Sequence, residues 1–178
     1  MAAMRDDQDL WVFGYGSLMW RPGFDFLEAY PARLYGYHRA LCIVSKDHRG
    51  TPEQPGLVVG LDHGGSCLGR AYRVAWSNRD AVIAYLDDRE LPTAAYMAAE
   101  RNVHVPGGQI RARCYVVNRH DPTYAGKLSL EEQVRRIRAA APGKSGINSD
   151  YVENLVAHLD DLGITDGPLH EVWELVRG

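Results

Sequence analysis

The sequence predicts an α+β fold, with strands through most of the chain and helices mostly in its C-terminal third. Two observations carry this. From Leu10 to Asn118, short runs of branched and aromatic residues recur between glycine- and proline-rich breaks, the pattern of strands and tight turns. From Ser129 onward, apolar residues return every three or four positions instead, which is the helical period. One helical stretch interrupts the strands, ahead of Pro92. Strands and helices are therefore grouped, not alternating, which excludes a doubly wound sheet.

A chain of 178 residues can bury a substantial core and is expected to form one domain, residues 1–178. Residues 1–8 read as a disordered, polar and acidic tail, unlike a signal peptide. Leu10 to Phe13 is a strand that breaks into a turn bearing Gly14 and Gly16. Pro22-Gly23 marks a second turn. Leu34 to Ser45 reads as one or two strands, and Lys46 to Gly56 as a polar loop. Leu57 to Leu61 and Leu68 to Trp76 read as strands joined by a hairpin turn at Asp62 to Ser66, because Gly64-Gly65 lies between them.

Ser77 is read as capping a helix that runs to about Glu90, with Asp80 three residues on and Pro92 as the stop. Tyr96 to Val105 and Gln109 to Asn118 are two strands joined at Pro106-Gly107-Gly108. In the second, Ile110, Ala112, Cys114 and Val116 alternate with Arg111, Arg113, Tyr115 and Val117, as expected for one buried face. Ser129 with Glu132 forms a capping-box pattern for a helix to about Ala141. A further helix starts at Asn148 or Ser149 and ends at Gly163, and a last one follows Asp166-Gly167-Pro168.

Composition narrows the function. The net charge is −3 with both signs interspersed, so there is no basic footprint for nucleic acid and no polybasic patch for a membrane surface. No apolar run approaches the ~20 residues of a membrane span. Cys42, Cys67 and Cys114 are odd in number and widely spaced, which argues for buried free thiols in a reducing cytoplasm. The histidines show no ligand spacing, and no metal is expected.

The glycine turn is the first candidate site. Glycines permit close approach of a ligand to the backbone, and several N–H groups in such a turn can converge on one anion. Tyr15 and Ser17 add hydroxyls. It is no dinucleotide fingerprint, since Met19 stands where the third glycine would be, and no nucleophile elbow, since Tyr15 replaces the first glycine. Gly143-Lys144-Ser145 is no P-loop either, because Arg138 occupies the first glycine position. A plain strand-end turn remains the alternative on these residues alone.

Glu90 is the second candidate. Val82, Ile83, Leu86 and Glu90 share the apolar face of the helix, with the carboxylate in its last turn. Partial desolvation and the negative helix end both disfavour its charge and suit it to proton transfer. A structural pair between Glu90 and Arg89 competes evenly with that reading. Glu100, in a strand, ranks below Glu90.

Together these segments resemble the ChaC-type γ-glutamylcyclotransferases. The resemblance rests on Phe13-Gly14-Tyr15-Gly16-Ser17-Leu18 followed by Trp20, on Asp47-His48-Arg49-Gly50, and on Tyr85-Leu86-Asp87-Asp88-Arg89-Glu90. Asp121-Pro122-Thr123-Tyr124-Ala125-Gly126 and Ser145-Gly146-Ile147-Asn148, running into Tyr151, complete it. It implies a small mixed barrel-like sheet with packed helices. It also implies cofactor-independent, cytoplasmic cleavage of glutathione to 5-oxoproline and cysteinylglycine, with Glu90 as the catalytic residue. Gly14, Tyr15, Gly16, Ser17, Leu18 and Met19 would hold the γ-glutamyl group. Arg39, Arg49 and Tyr124 are candidates for the other half of the substrate, although His48 and Arg49 equally suit ordering of their loop and Tyr124 a half-buried aromatic. A cyclotransferase for other γ-glutamyl compounds, and a non-catalytic γ-glutamyl-binding protein, are the rival functions.

Overall fold

The computed structural model describes residues 8–178, so the expected N-terminal tail lies, apart from Gln8, outside the described residues. Five strands and four α-helices are described: β1 (Leu10–Gly14), β2 (Glu28–Ser45), β3 (Gly56–Val74), α1 (Arg79–Glu90), β4 (Tyr96–Val105), β5 (Gly108–Val117), α2 (Leu130–Ala139), α3 (Asn148–Asp161) and α4 (Gly167–Arg177). The strands form a closed barrel in the order β1-β3-β2-β4-β5. The sheet is mixed. β1 runs antiparallel to β3 from Leu10↔Val74 to Gly14↔Arg70, and parallel to β5 at Val12↔Arg113. The α+β class and the barrel-like sheet are thus as expected.

The described residues divide into two compact units, residues 8–38 with His63–Val116, and Arg39–Asp62 with Val117–Gly178. In the first, Leu10, Val12, Leu18, Val74, Val82, Leu86 and Tyr115 make a buried cluster, with Phe24, Ile83 and Leu91 packed against it. This cluster explains where α1 lies: Val82 and Leu86 are its buried residues, four apart on one stripe. Burying a side chain of this kind contributes about 1.5–3 kcal/mol. It also explains why the alternation in β5 breaks down. Ala112 and Cys114 are buried as expected, but so are Tyr115 and Val117, and Tyr115 belongs to the same cluster as the α1 residues.

In the second unit, Asn148 is fully buried. Its Nδ2 donates to the Leu57 carbonyl at 2.8 Å and its Oδ1 accepts from the Leu57 N–H at 2.9 Å. One side-chain amide thus replaces a neighbouring strand for both backbone groups of Leu57. Two residues on, the Tyr151 hydroxyl accepts from the Val59 N–H at 2.9 Å. Both contacts tie α3 to β3.

Two local expectations are corrected. No hairpin turn occurs at Asp62 to Ser66, because β3 continues through it. Gly64 and Gly65 adopt φ values of 103° and 67° inside the strand, so the glycines distort a continuous strand where a turn was expected. Ser77 does not cap α1. It lies in a 3₁₀ turn, Trp76–Asn78, and the residue at the cap is Asn78, without a side-chain bond. Ser129 does cap α2, its Oγ accepting from Glu132 N–H at 3.2 Å. The Glu132 carboxylate binds Arg135 and Arg136 instead of closing the box.

Candidate active site

The glycine turn grows out of β1. Gly14 is the last residue of that strand, and a Cβ there would lie 2.9 Å from the Leu18 Cβ and 3.3 Å from the Met19 nitrogen. Glycine is what allows the chain to fold back this closely. Ser17–Met19 is one turn of 3₁₀ helix, with Met19 N–H donating to the Gly16 carbonyl at 2.9 Å. The N–H groups of Ser17 and Leu18 precede that first bond and so have no intrahelical partner. The Tyr72 hydroxyl supports the turn from below, 2.8 Å from the Leu18 carbonyl and 2.7 Å from that of Met19. Tyr15, Leu18 and Met19 are buried, whereas Gly16 and Ser17 are partly open. Leu18 and Met19 are core side chains, and the N–H and carbonyl of Met19 are already bonded to Gly16 and Tyr72.

Glu90 ends α1, its side chain 21% exposed. Burial pushes its carboxyl above the ordinary glutamate range, and the Arg89 guanidinium opposes that in part. Arg89 Nε lies 3.2 Å from Glu90 Oε1. The same guanidinium donates from Nη2 to Ser17 Oγ at 2.8 Å, and from Nη1 to the carbonyls of Arg21 at 2.8 Å and Pro22 at 3.1 Å. Its Nη1 also reaches the Tyr85 hydroxyl at 3.0 Å. The two features singled out in the sequence, the glycine turn and Glu90, are thereby joined through one side chain.

One turn earlier on α1, Asp87 Oδ1 accepts from Arg113 Nη2 at 2.7 Å and from the Tyr115 hydroxyl at 2.8 Å. Although burial would raise its carboxyl, these bonds hold Asp87 below the ordinary range. They anchor α1 to β5. Glu100 lies 3.9 Å from Arg113 with a half-open side chain, 42% exposed.

The other candidates lie in the second unit. Arg39 is buried, its Nη1 donating to Asp166 at 2.9 Å. Asp166 caps α4 by accepting from Leu169 N–H, so this pair fixes the start of that helix. Arg49 donates from Nη1 to the Ile147 carbonyl at 3.1 Å and lies over the Tyr151 ring. The loop around it is laced together, His48 to Ser145 at 3.0 Å and Lys144 to Asp47 at 2.8 Å. Tyr124 donates its hydroxyl to Asp62 Oδ2 at 2.8 Å, and Arg119 Nε donates to Asp62 Oδ1 at 2.8 Å. Burial and the Asp62 carboxylate both raise the Tyr124 hydroxyl.

The sequence reading did not single out Asp62, Tyr72 or the Asp87–Arg113–Tyr115 group. Asp62 looked like the first residue of a glycine turn, and Tyr72 like any strand aromatic. Asp87 stands beside Asp88 on an acidic helix, with nothing local to distinguish the carboxylate that bonds Arg113 and Tyr115 from the exposed one.

Cys42, Cys67 and Cys114 are free and buried. Burial pushes the thiols of Cys42 and Cys114 up to about 12, which leaves them protonated and unsuited to nucleophilic attack. Among the described residues, no three His, Cys, Asp or Glu side chains are grouped to hold a metal ion.

Known proteins resemble this chain over nearly its whole length. The glutathione-specific γ-glutamylcyclotransferase of Escherichia coli is 32% identical over 99% of this chain and 77% of its own. The human glutathione-specific γ-glutamylcyclotransferase 1 is 35% identical over 84% of this chain and 69% of its own. A crystal structure of a γ-glutamyl cyclotransferase specific to glutathione from yeast superimposes with a TM-score of 0.82 at 23% identity, covering 96% of each chain, and shares the fold. The family model described as ChaC-like protein matches residues 10–178, a span that takes in both the glycine turn and Glu90. On that match and these relatives, the chain belongs to the ChaC-like family.

Proposed function

We propose that this protein is a γ-glutamylcyclotransferase that cleaves glutathione to 5-oxoproline and cysteinylglycine. The observation that carries the reading is a partly buried carboxyl, Glu90, whose charge is disfavoured and whose neighbour Arg89 grips the glycine turn. The relatives named for this activity support it.

The chemistry asks little of the protein in covalent terms. The α-amine of the γ-glutamyl group attacks its own γ-carbonyl carbon. A new C–N bond closes the five-membered lactam, and the amide C–N bond to cysteine breaks. Two protons leave the α-nitrogen and two reach the departing nitrogen. The nucleophile resides in the substrate, so no serine or cysteine is needed, in keeping with thiols held protonated by burial.

Three tasks remain for the chain. Glu90 relays the two protons one at a time, each accepted from the α-nitrogen and passed to the departing nitrogen; a raised carboxyl is a better match to an amine than an ordinary one. The backbone of Gly14 to Met19 receives the α-carboxylate and the developing oxyanion, with the N–H groups of Ser17 and Leu18 as the donors. Recognition of the cysteinylglycine half is the third task. Within the second unit, the buried Arg39–Asp166 pair favours a structural role for Arg39.

No helix among the described residues is long and apolar enough to cross a membrane. Three buried free thiols suit the reducing conditions of the cytoplasm, where glutathione is abundant.

Assay of 5-oxoproline release from glutathione, γ-glutamyl-alanine and a γ-glutamyl amine tests the proposal. Release from glutathione well above the other two is expected. Equal release from all three would make this a broader cyclotransferase, and binding without release from any would make it a γ-glutamyl-binding protein.

A further inference from the structure

We propose that Arg89 is a positioning residue that sets the glycine turn and the Glu90 carboxylate as one unit. This rests on Glu90 being the base, as proposed above.

The geometry makes the case. A guanidinium carries five N–H donors in a fixed plane. Arg89 brings them to five partners: Nη2 donates to Ser17 Oγ, the two N–H of Nη1 are shared among the carbonyls of Arg21 and Pro22 and the Tyr85 hydroxyl, and Nε faces Glu90 Oε1 as an ion pair. Three of these anchor the segment that follows β1, one lies on the preceding turn of α1, and one is the proposed base. Side chains at adjacent helical positions point about 100° apart and do not ordinarily meet. The Arg89–Glu90 contact of 3.2 Å at the last turn of α1 therefore fixes the carboxylate with respect to a plane already held on its other edges by Ser17, Arg21 and Pro22. A displacement of the turn by its ligand would be felt at the base, and the reverse.

The charge matters as well as the fork. Of the other ionisable groups near the end of α1, Asp87 is engaged with Arg113 of β5 and with Tyr115, Arg113 lies also 3.9 Å from Glu100 of β4, and Asp88 is exposed. Arg89 supplies the field that offsets burial at Glu90. Its guanidinium thus favours the ionised carboxylate while burial, the larger effect, disfavours it.

Arg89→Gln and Arg89→Lys separate the two effects, with Glu90→Gln as reference and 5-oxoproline release from glutathione as readout. In Arg89→Gln, the acid limb of kcat/KM is expected to move to higher pH, since burial then acts on Glu90 unopposed. Arg89→Lys retains a charge and should hold that limb near its wild-type pH. It loses the fork, so kcat should fall about 10–100-fold, as expected for a reacting group slightly out of place. A limb that does not move in folded Arg89→Gln overturns the coupling, as does wild-type kcat and KM in Arg89→Lys. Should Arg89→Gln fail to fold, Arg89→Lys decides alone. Near-normal turnover in Glu90→Gln would instead remove Glu90 as the base, a failure of the functional reading that is separate from that of the coupling.

Discussion

Glu90→Gln is the substitution on which the functional reading turns. The amide keeps the size of the side chain and can accept a hydrogen bond from Arg89 Nε, now 3.2 Å away, but it cannot take a proton. Loss of a positioned general base typically lowers the rate about 10²–10⁴-fold, which is about 2.7–5.4 kcal/mol of barrier at 1.36 kcal/mol per decade. The effect on stability should be small and of the opposite sense. Burial raises the Glu90 carboxyl in the folded protein by more than Arg89 lowers it, so ionising Glu90 disfavours the fold. The unfolded chain begins to ionise near the ordinary value of 4.5, while the folded chain holds its proton to higher pH. Stability therefore falls as pH rises from about 4.5 through the raised folded value, and the glutamine variant escapes that fall. Thermal midpoints of the two proteins should agree near pH 4 and separate toward neutrality, with the variant equal or higher. Glutathione binding by calorimetry should survive while 5-oxoproline release is lost. Near-normal turnover would refute the role of Glu90. A clear drop in midpoint at pH 7 with a surviving rate would show that the Arg89–Glu90 pair is only a structural tie.

Other substitutions test the parts that support this site. Gly14→Ala places a Cβ 2.9 Å from that of Leu18, so the turn must shift; overpacking of this kind costs about 1–3 kcal/mol, and turnover should fall further than the midpoint alone explains. Unchanged turnover in the folded variant would show that the turn does not need this close approach. Asn148→Ala strips partners from the buried N–H and C=O of Leu57, at about 1–3 kcal/mol for each group; urea unfolding should report a loss of several kcal/mol, and one below about 1 kcal/mol would refute the account. At His170, burial opposes the charged form, but the bonds to Asp160 and to the Asp166 carbonyl outweigh it and raise the imidazole above its ordinary 6.5. Its contribution is complete below pH 6.5 and disappears as pH rises through the raised value, so the midpoint advantage over His170→Gln should shrink from pH 6 to pH 9; parallel curves would refute it.

Much of this fold can be read locally. β1, β4 and β5 lie within about a residue of where alternation and glycine breaks put them, and α2 starts at the serine that caps it. The failures share a physical cause. Gly64-Gly65 has the chemistry of a hairpin turn and also of a distortion inside a strand; only the pairing of the rest of β3 decides between them, and that pairing is not local. Asp62 shows the consequence. Taken as a turn residue it should be exposed, yet in the continuous strand it is 4% exposed and binds Arg119 and Tyr124, 57 and 62 residues away. The Arg39–Asp166 pair spans 127 residues, so Arg39 looked like an available cation when read in isolation.

For Glu90, local reading went furthest, because helical periodicity relates a residue to a buried stripe without knowledge of its partners. Val82 and Leu86 are buried, and the carboxyl that follows them on that stripe is raised by burial. Sequence alone set a base against a structural partner of Arg89 as alternatives, but they do not exclude each other. A buried carboxyl with no cation nearby would hold its proton too firmly to act as a base at neutral pH. One wholly neutralised by a close cation would be too weak a base for an ammonium. Between these limits, a guanidinium 3.2 Å away that is also shared with the Ser17 hydroxyl and two backbone carbonyls offsets part of the burial and leaves the rest. The ion pair is thus compatible with both roles set out for Glu90, and only the rate and midpoint of Glu90→Gln together tell them apart.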